Sequence, residues 1–310
     1  MCPDVDPAQG RLSYAWNRLL RHVGWLRSEG LPRLVEEDGL NVAARWKLHR
    51  DKRNWLQDHG HEPGGARPIF IVGAQRSGTN MLLRGLEASP ELEVHSENDR
   101  RNFERFRIRE DHVIYGTVMR SRHTVVLFKP LCDSHRTQEL LDIANPDKAL
   151  ALWIYRGVDA RTRSAVAKFG SDALEAVQRI ASGQTDGLWQ AGGLAGEDID
   201  LVRSLPLHRL TPTDGAALLW FLRNSLYFTL GLNSEKRVHL LSYEAFISDP
   251  ADVMQRICSL IEVEYRSEFI GHVDAGRSPR ITLAIDPTVR ELCDALADRL
   301  NREAQLATGN

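Results

Sequence analysis

The chain is poor in cysteine and has no long hydrophobic run. Its cysteines are Cys2, Cys132, Cys258 and Cys293. No two of them are separated by the short interval typical of a zinc-binding pair, and together they do not form a regular disulfide pattern. The sequence therefore predicts neither a zinc site nor a disulfide framework, and we expect reduced thiols. No segment has the length and apolarity of a stable membrane span, and the first residues lack the apolar core of a signal peptide. We therefore expect a cytoplasmic protein.

The sequence also lacks an excess of charge of one sign. Its 40 Lys and Arg are set against 42 Asp and Glu, so nothing points to a nucleic-acid partner. Repeats and low-complexity tracts are absent as well. The length of 310 residues suits one large α/β domain with an appendage, and we assign residues 1–60 to an N-terminal helical appendage and 67–310 to the domain.

The appendage is mildly basic and contains amphipathic stretches such as "AWNRLLRHVGWLRSEGL". Such a helix packs its Trp and Leu face onto the domain, or lies on a membrane surface or over the mouth of a site. The sequence favours the first role and leaves the others open. It gives no indication of oligomeric state.

The most informative segment is "RPIFIVGAQRSGTN", residues 67–80. The apolar residues 69–72 predict a buried parallel strand. Gly73 and Gly78 permit a tight turn that brings backbone close to a ligand, and "NMLLRGLEAS" continues as a helix whose first free amides would face an anion. The segment therefore predicts a phosphate-binding loop.

This loop departs from that of the nucleoside triphosphatases. Thr79 and Asn80 stand where a Lys and a Ser or Thr are required for the terminal phosphates and for magnesium. The basic residue lies inside the loop instead, at Arg76. The sequence thus predicts phosphate binding without metal-dependent triphosphate chemistry.

A second strand and helix carry another anion-binding pair. Residues 150–155 predict a buried strand, Arg156 ends it, and Ser164 follows eight residues later in the next helix. An Arg offers a charge-assisted fork to phosphate, and a hydroxyl adds a neutral donor.

The last part of the chain predicts one more strand, at 238–241, which leads through Tyr243 and Glu244 into a helix. Asp249 before Pro250 is a cap and first-turn signal. Upstream, residues 216–232 have the pattern of a buried core helix. With further strands near 92–94 and 124–128, the alternation of strands and helices predicts a mostly parallel sheet covered on both faces, with ligands at the carboxyl ends of its strands.

Over about residues 67–285 these segments resemble the sulfotransferases that use 3′-phosphoadenosine-5′-phosphosulfate (PAPS). The resemblance implies a three-layer, P-loop-like α/β fold with a mostly parallel central sheet flanked by helices, besides the N-terminal helical region. It implies transfer of the sulfonyl group of PAPS to a hydroxyl, less often an amine, without a metal. The implied cofactor contacts are Gly73, Gln75, Arg76, Ser77, Gly78, Thr79, Asn80, Arg156, Ser164, Tyr243 and Arg277.

Within that set the roles differ. The loop would hold the 5′-phosphosulfate, and Arg156 with Ser164 the 3′-phosphate. Tyr243 would line the adenine region, with a core tyrosine as the alternative. Arg277 or Arg280, in "DAGRSPRITL", would reach back to the 3′-phosphate.

Sulfonyl transfer needs a base for the acceptor proton and positive charge near the leaving oxygen. Arg76, where many family members carry Lys, is the candidate for leaving-group stabilisation, and Lys129 at a strand end is a second cation. The resemblance favours Glu97 as the base. His95 and His123 are rivals that are better matched to neutral pH.

The acceptor is not encoded: a small molecule, a lipid or a glycan all fit. The arginine-rich segment 99–123 is compatible with an anionic or sugar acceptor, or with a solvated basic face. Two other functions remain open at this stage, a P-loop kinase that uses ATP and a non-catalytic nucleotide-binding scaffold.

Overall fold

The computed structural model describes residues 42–273 and 281–308, so most of the predicted appendage and the segment carrying Arg277 and Arg280 lie outside it. Seven strands are described: β1 Arg67–Gly73, β2 Leu92–His95, β3 Phe103–Glu104, β4 Arg107–Ile108, β5 Val125–Phe128, β6 Leu150–Tyr155 and β7 Val238–Ser242. The described α-helices are α1 Val42–His59, α2 Thr79–Glu87, α3 Asp111–Arg120, α4 Thr137–Asp142, α5 Val158–Phe169, α6 Asp172–Ser182, α7 Gly196–Ser204, α8 Pro212–Thr229, α9 Tyr243–Ser248, α10 Pro250–Ile261 and α11 Pro287–Thr308.

Five strands form one parallel sheet in the order β2-β5-β1-β6-β7. β1 lies in the middle, with Ile69 beside Leu127 of β5 and beside Leu150 of β6. β3 and β4 form a separate antiparallel hairpin. All five carboxyl ends of the parallel strands therefore meet at one edge, and the predicted strands and their parallel arrangement are confirmed.

Helices cover both faces of this sheet because both faces are apolar. In β1, Phe70 and Val72 point into one buried cluster, and Ile69 and Ile71 into the other. The near-continuous apolar run of a strand buried on both sides is the pattern from which β1 was predicted. The three-layer α/β fold is thus the one expected.

Two helix starts follow their local sequence signals. At α10 the Asp249 side chain accepts a hydrogen bond from the Asp252 amide at 3.1 Å, and Pro250 occupies the first turn. α8 begins with Thr211 and Asp214 bonded reciprocally, and most of its residues are buried. The predicted core helix is confirmed.

The described part of the appendage, α1, packs onto the sheet domain. Trp55 stacks on His123 with ring centroids 5.9 Å apart, and Lys52 Nζ donates to the Leu92 carbonyl at 2.7 Å. Burial, opposed by the charges of Glu87 and Glu93, lowers the pKa of Lys52 to about 8. This part of the chain adopts the packed arrangement that the sequence favoured. The domain boundaries themselves stay a prediction.

The cysteines correct one expectation. Cys258 and Cys293 are buried free thiols, but Cys132 is disulfide-bonded. The prediction of reduced thiols is therefore wrong at Cys132. Scattered spacing did not reveal the bond, because pairing depends on proximity in the fold rather than along the chain. Over residues 42–273 and 281–308, none of the helices combines the length and apolarity that crossing a membrane requires.

Candidate functional site

The phosphate-binding loop follows β1 and turns where its glycines allow it. Gly73 has φ 118° and Gly78 has φ 90°, and a Cβ atom at Gly73 would collide with the Ile154 carbonyl of the neighbouring strand. The loop also places Arg76 at φ 68°, a conformation that non-glycine residues seldom adopt. The backbone then enters α2 at Thr79. This is the strand, turn and helix arrangement that was predicted.

Ser77 is the innermost side chain of this loop. It is fully buried, and its hydroxyl has no hydrogen-bond partner among the described residues. Buried hydroxyls are nearly always satisfied, so the missing partner indicates a ligand at this point. The first amides of α2 lie in the same place, and together they suit an anion.

The second anchor lies at the end of β6. Arg156 has a buried Nε atom for which the described residues offer no hydrogen-bond partner. Ser164, in α5, accepts a hydrogen bond from Arg76 Nε at 3.0 Å. The two segments that the sequence predicted as separate anion sites are therefore joined side chain to side chain.

Tyr243 lies between the two anchors. The Arg156 guanidinium carbon is 4.2 Å from the centroid of the Tyr243 ring, within range of a cation–π contact. The ring also contacts Gly78, where any Cβ atom would collide with it. The following residue, Glu244, accepts a hydrogen bond from the Gly157 amide at 3.0 Å. The end of β7 thus holds both anchors together.

Glu97 and Lys129 meet beside the start of α2. Lys129 Nζ lies 3.2 Å from Glu97 Oε2 and donates to Asn80 Oδ1 at 2.6 Å. Both side chains are largely buried. Burial raises the pKa of Glu97 above its ordinary value, although the Lys129 charge opposes this shift. A carboxylate with a raised pKa is better suited to accept a proton near neutral pH.

His95, one rival for the base, is occupied in supporting contacts. Its Nδ1 lies 2.6 Å from Asp99 Oδ2 and its Nε2 3.2 Å from Glu93 Oε1, and its ring stacks on Phe128. Burial lowers the pKa of His95, but the two carboxylates outweigh this effect and raise it overall. A histidine whose two ring nitrogens both face carboxylates is poorly placed to act as a base.

His123, the other rival for the base, lies at the amino ends of the strands, opposite the end that carries the loop. It precedes β5 by two positions, so it belongs to the amino end of that strand. Its ring stacks on Trp55, and its Nδ1 is 3.0 Å from the Pro90 carbonyl. Glu97 is therefore the candidate base that lies beside the loop.

This chain is similar to three solved structures that are all described as sulfotransferases. A sulfotransferase from Alicyclobacillus acidocaldarius has 19% identity and a TM-score of 0.41, with 78% of this chain and 95% of that chain covered. Sulfotransferase STF9 from Mycobacterium avium has 15% identity and a TM-score of 0.40, with 82% of each chain covered. The sulfotransferase domain of the Synechococcus PCC 7002 olefin synthase has 16% identity and a TM-score of 0.36, with 79% of this chain and 89% of that chain covered.

No protein-family model matches the chain, and no curated protein matches it. The likeness to the solved structures is distant. The geometry of the site itself carries the functional proposal.

Sequence reasoning missed two residues that support the loop from below. Arg161, on α5, donates from Nε to the Gln75 carbonyl at 3.1 Å and from Nη1 to the Ala216 carbonyl at 2.8 Å. The Ser134 hydroxyl accepts a hydrogen bond from the Gly73 amide at 2.9 Å. Arg161 precedes Ser164 by three positions on one helix face, which is a usable signal. Ser134 has no such signal, because its segment is irregular.

Arg277 lies outside the described residues, but the chain on both sides of it contacts the site. His272 Nε2 is 2.8 Å from the Met81 carbonyl of α2. The Leu283 amide donates to Asp159 in the first turn of α5 at 2.9 Å, and Arg290 pairs with the same carboxylate through both of its terminal nitrogens. Within the described ranges, no cluster of three or more His, Cys, Asp or Glu side chains is arranged to hold a metal ion.

Proposed function

We propose that this protein is a sulfotransferase that moves the sulfonyl group of PAPS to a hydroxyl, less often an amine, of a small-molecule, lipid or carbohydrate acceptor. The observation that carries the proposal is the hydrogen bond from Arg76 to Ser164. It joins a phosphate loop that lacks the triphosphatase lysine to a second anion anchor. A ligand with two separate phosphate groups suits such a pair.

The residues present fit PAPS at several points. The unpartnered Ser77 hydroxyl and the first amides of α2 suit the 5′-phosphosulfate. Arg156, with its free Nε, and Ser164 suit the 3′-phosphate. Tyr243 contacts both anchors and would flank the adenine. Arg277 remains a predicted further contact to the 3′-phosphate.

In the proposed reaction PAPS supplies an activated sulfonyl group. Glu97 takes the proton of the acceptor hydroxyl as the acceptor oxygen bonds to sulfur. The bond from sulfur to the bridging oxygen of the 5′-phosphate breaks, and its electron pair stays on that oxygen. The products are a sulfate ester and adenosine 3′,5′-bisphosphate, with one proton held at first on Glu97.

Two cations would stabilise the charge that develops during this transfer. Arg76 belongs to the loop and keeps its charge at any relevant pH, so it would stabilise the leaving oxygen without donating a proton. Lys129 contacts Asn80 and Glu97 at once. Lys129 therefore brings an ammonium group to the start of α2, next to the position at which the loop of a nucleoside triphosphatase carries its lysine. It also holds the Glu97 carboxylate in place.

Calorimetric titration with adenosine 3′,5′-bisphosphate, and separately with magnesium and ATP, tests the cofactor class. We expect the bisphosphate to bind and Arg156→Ala to weaken its affinity by about ten- to a hundredfold, the usual worth of a charged hydrogen bond. Arg237→Ala is the matched control. Arg237 precedes β7 at the amino edge of the sheet and pairs there with Glu235 and Asp142, so its removal should leave the affinity unchanged.

The same titration identifies the competing functions. Binding of magnesium-ATP alone would favour a kinase. Binding of neither nucleotide would overturn the proposal. Bisphosphate binding without consumption of labelled PAPS, in the presence of any acceptor or of water, would favour a non-catalytic scaffold.

A further inference from the structure

A cluster of buried polar side chains that the proposed reaction does not use lies beside Cys132, whose Sγ is 3.7 Å from Gln75 Nε2 of the cofactor loop and 4.0 Å from Glu97 Oε1. We name it the acceptor-side cluster, and it consists of His135, Trp189, Gln190 and Arg223. Each carries a buried side-chain nitrogen or oxygen with no hydrogen-bond partner among the described residues, namely His135 Nδ1, Trp189 Nε1, Gln190 Oε1 and Arg223 Nη2. Buried polar groups are nearly always satisfied. Four such atoms in one cluster require partners from ordered water or from a bound group.

Arg223 is the centre of this cluster. Its side chain is 2% exposed. Nη1 donates to the Gly192 carbonyl at 2.6 Å and to the Gln190 carbonyl at 3.3 Å, while its guanidinium carbon lies 5.5 Å from the Trp189 ring centroid. These contacts fix the guanidinium and leave Nη2 available.

The charges around Arg223 do not balance within the described residues. The carboxylate whose charge acts on it is Asp133. That carboxylate already accepts hydrogen bonds from Arg107 Nε at 2.7 Å and from the Ile108 amide at 2.8 Å. Burial, aided by the Arg223 charge, lowers the pKa of His135 to about 4, so His135 is neutral. Arg223, which is buried, and Arg107, which is half-buried, thus share the single carboxylate of Asp133. A buried charge without a full partner is unfavourable.

The cluster is continuous with Glu97. Trp189 packs with Cys132 and Phe106, and Cys132 Sγ lies 4.0 Å from Glu97 Oε1. A molecule whose hydroxyl meets Glu97 would therefore extend along an aromatic surface that ends at Arg223. Arg107 and Ile108, which both donate to Asp133, also line a surface cavity of about 630 Å³.

A strained turn holds one wall of this surface. Arg105 and Phe106 form the tip of the β3–β4 hairpin with φ values of 50° and 67°. Two consecutive positive values suit Asn or Gly at such a tip and disfavour these residues. The Phe106 side chain packs against Cys132 and Trp189, which keeps the strained backbone in place. Strain of this kind concentrates at ligand-binding sites.

We propose that Phe106, Trp189 and Arg223 form the acceptor subsite, and that the acceptor is a hydroxyl compound with a flat apolar body and a carboxylate that Arg223 binds. The inference rests on the proposed sulfotransferase function and names the acceptor class of that same site. Phe106 and Trp189 enclose the apolar body. The carboxylate supplies the negative charge that Arg223 lacks and accepts the hydrogen bond from Nη2.

Matched pairs of probe acceptors test this subsite. The pairs are 4-hydroxyphenyl-alkyl carboxylates with one to three methylene groups, each compared with its primary amide, which has the same shape and no charge. Turnover with labelled PAPS should give a kcat/KM higher by about ten- to a hundredfold for the best carboxylate than for its amide. In Arg223→Met this preference should disappear, so that the carboxylate and its amide give the same kcat/KM, while the bisphosphate affinity stays as in the wild type.

Arg299→Met is the matched control, because Arg299 also lies over an aromatic ring, that of Phe228, at 3.6 Å. It should keep the carboxylate preference. Since Arg223→Met removes a buried side chain and its loss could prevent folding, Phe106→Ala provides a second test at the half-buried hairpin. It should raise KM for both members of a pair and leave the bisphosphate affinity unchanged.

Failure of this inference can be distinguished from failure of the proposed function. If the bisphosphate binds but carboxylates and amides react equally well, or none of them reacts, the acceptor assignment is wrong and the cofactor assignment stands. If Arg223→Met keeps the carboxylate preference, Arg223 is not the binding group. If the bisphosphate does not bind, the proposed function fails and the acceptor assignment fails with it.

Discussion

The two sides of the candidate site are built differently. On the cofactor side, regular strands end in short turns that enter helices, and the key side chains hold one another, as Arg76 holds Ser164 and Tyr243 covers Arg156. On the acceptor side, the chain runs through the strained β3–β4 hairpin and a short 3₁₀ segment at Leu131–Arg136. Buried polar atoms without a partner among the described residues occur on both sides, Ser77 Oγ and Arg156 Nε on the cofactor side and the four atoms of the acceptor-side cluster on the other. A cofactor shared by many reactions suits a preformed site, whereas an acceptor is selected by chain-specific, irregular segments.

Replacing Glu97 should produce the largest difference between the two sides, because turnover should fall while bisphosphate binding stays unchanged. Glu97→Gln keeps the shape of the side chain and removes the group that accepts the proton. We expect kcat to fall by about 10²- to 10⁴-fold, with an unchanged Kd for the bisphosphate. Steady-state turnover of labelled PAPS and calorimetry measure the two quantities. A loss of turnover below about threefold would exclude Glu97 as the base, and an equally large loss of bisphosphate affinity would place it on the cofactor side.

A double-mutant cycle tests whether the cofactor side acts as one unit. Arg76→Ala and Ser164→Ala should each weaken bisphosphate binding, and the double variant should lose less than the sum, with a coupling energy of about 0.5–3 kcal/mol because the two side chains are in contact. Ser164→Ala combined with Arg237→Ala is the control pair and should be additive. Additive losses in the first pair would contradict a joined anchor.

The pH profile of turnover should report the environment of Glu97. Burial raises the pKa of Glu97. The midpoint at which kcat/KM falls on acidification should therefore lie above the ordinary pKa of a glutamate. Lys129 opposes this shift, so Lys129→Met should move the acid limb to still higher pH. If the acid limb of the pH profile is unchanged in Lys129→Met, the contact between Lys129 and Glu97 does not influence the pKa of Glu97.

His95 and His239 should affect the free energy of unfolding with opposite pH dependence, and the expected effect is smaller. The pKa of His95, at the end of β2, is raised by its carboxylate partners despite burial. Its contribution to stability is therefore fully present below the unfolded pKa and is lost as pH rises through the folded one. Burial lowers the pKa of His239, on β7, so its contribution is present above the unfolded pKa and is lost as pH falls through the folded one.

Denaturant unfolding of His95→Asn and His239→Asn, measured across pH 5 to 9 against the wild type, separates these cases. The stability difference between wild type and His95→Asn should shrink as pH rises. For His239→Asn the difference should shrink as pH falls. Equal slopes for the two variants would rule out the opposite environments assigned to these rings.

The cofactor side was predictable from sequence because its signals are local. The run 69–72 with its two glycines predicted β1 and the loop, and the eight-residue interval from Arg156 to Ser164 predicted the strand end and helix of the second anchor. The Asp249 and Pro250 cap was equally local. Each of these patterns needs only neighbouring residues to be recognised.

The remainder depends on contacts between distant parts of the chain. The three-residue interval from Arg161 to Ser164 places both on one helix face, but the contact of Arg161 with the Gln75 carbonyl joins segments 86 residues apart. Nothing near Arg223 in sequence shows that Trp189 lies beneath it. For the base, three candidates were left open on sequence alone. The contacts of His95 with Glu93 and Asp99 and the place of His123 before β5 made Glu97 the best placed of them, and neither observation can be made without the fold.

The contact between Gly78 and the Tyr243 ring has a consequence for how this protein could change. An alanine at position 78 collides with the ring and would also have to adopt a φ of 90°, a conformation that strains any L side chain whatever the space around it. A smaller residue at position 243 would relieve only the collision, and it would uncover the Arg156 guanidinium. Position 78 therefore resists substitution for two independent reasons, and in distant relatives we expect it to stay glycine even where position 243 varies.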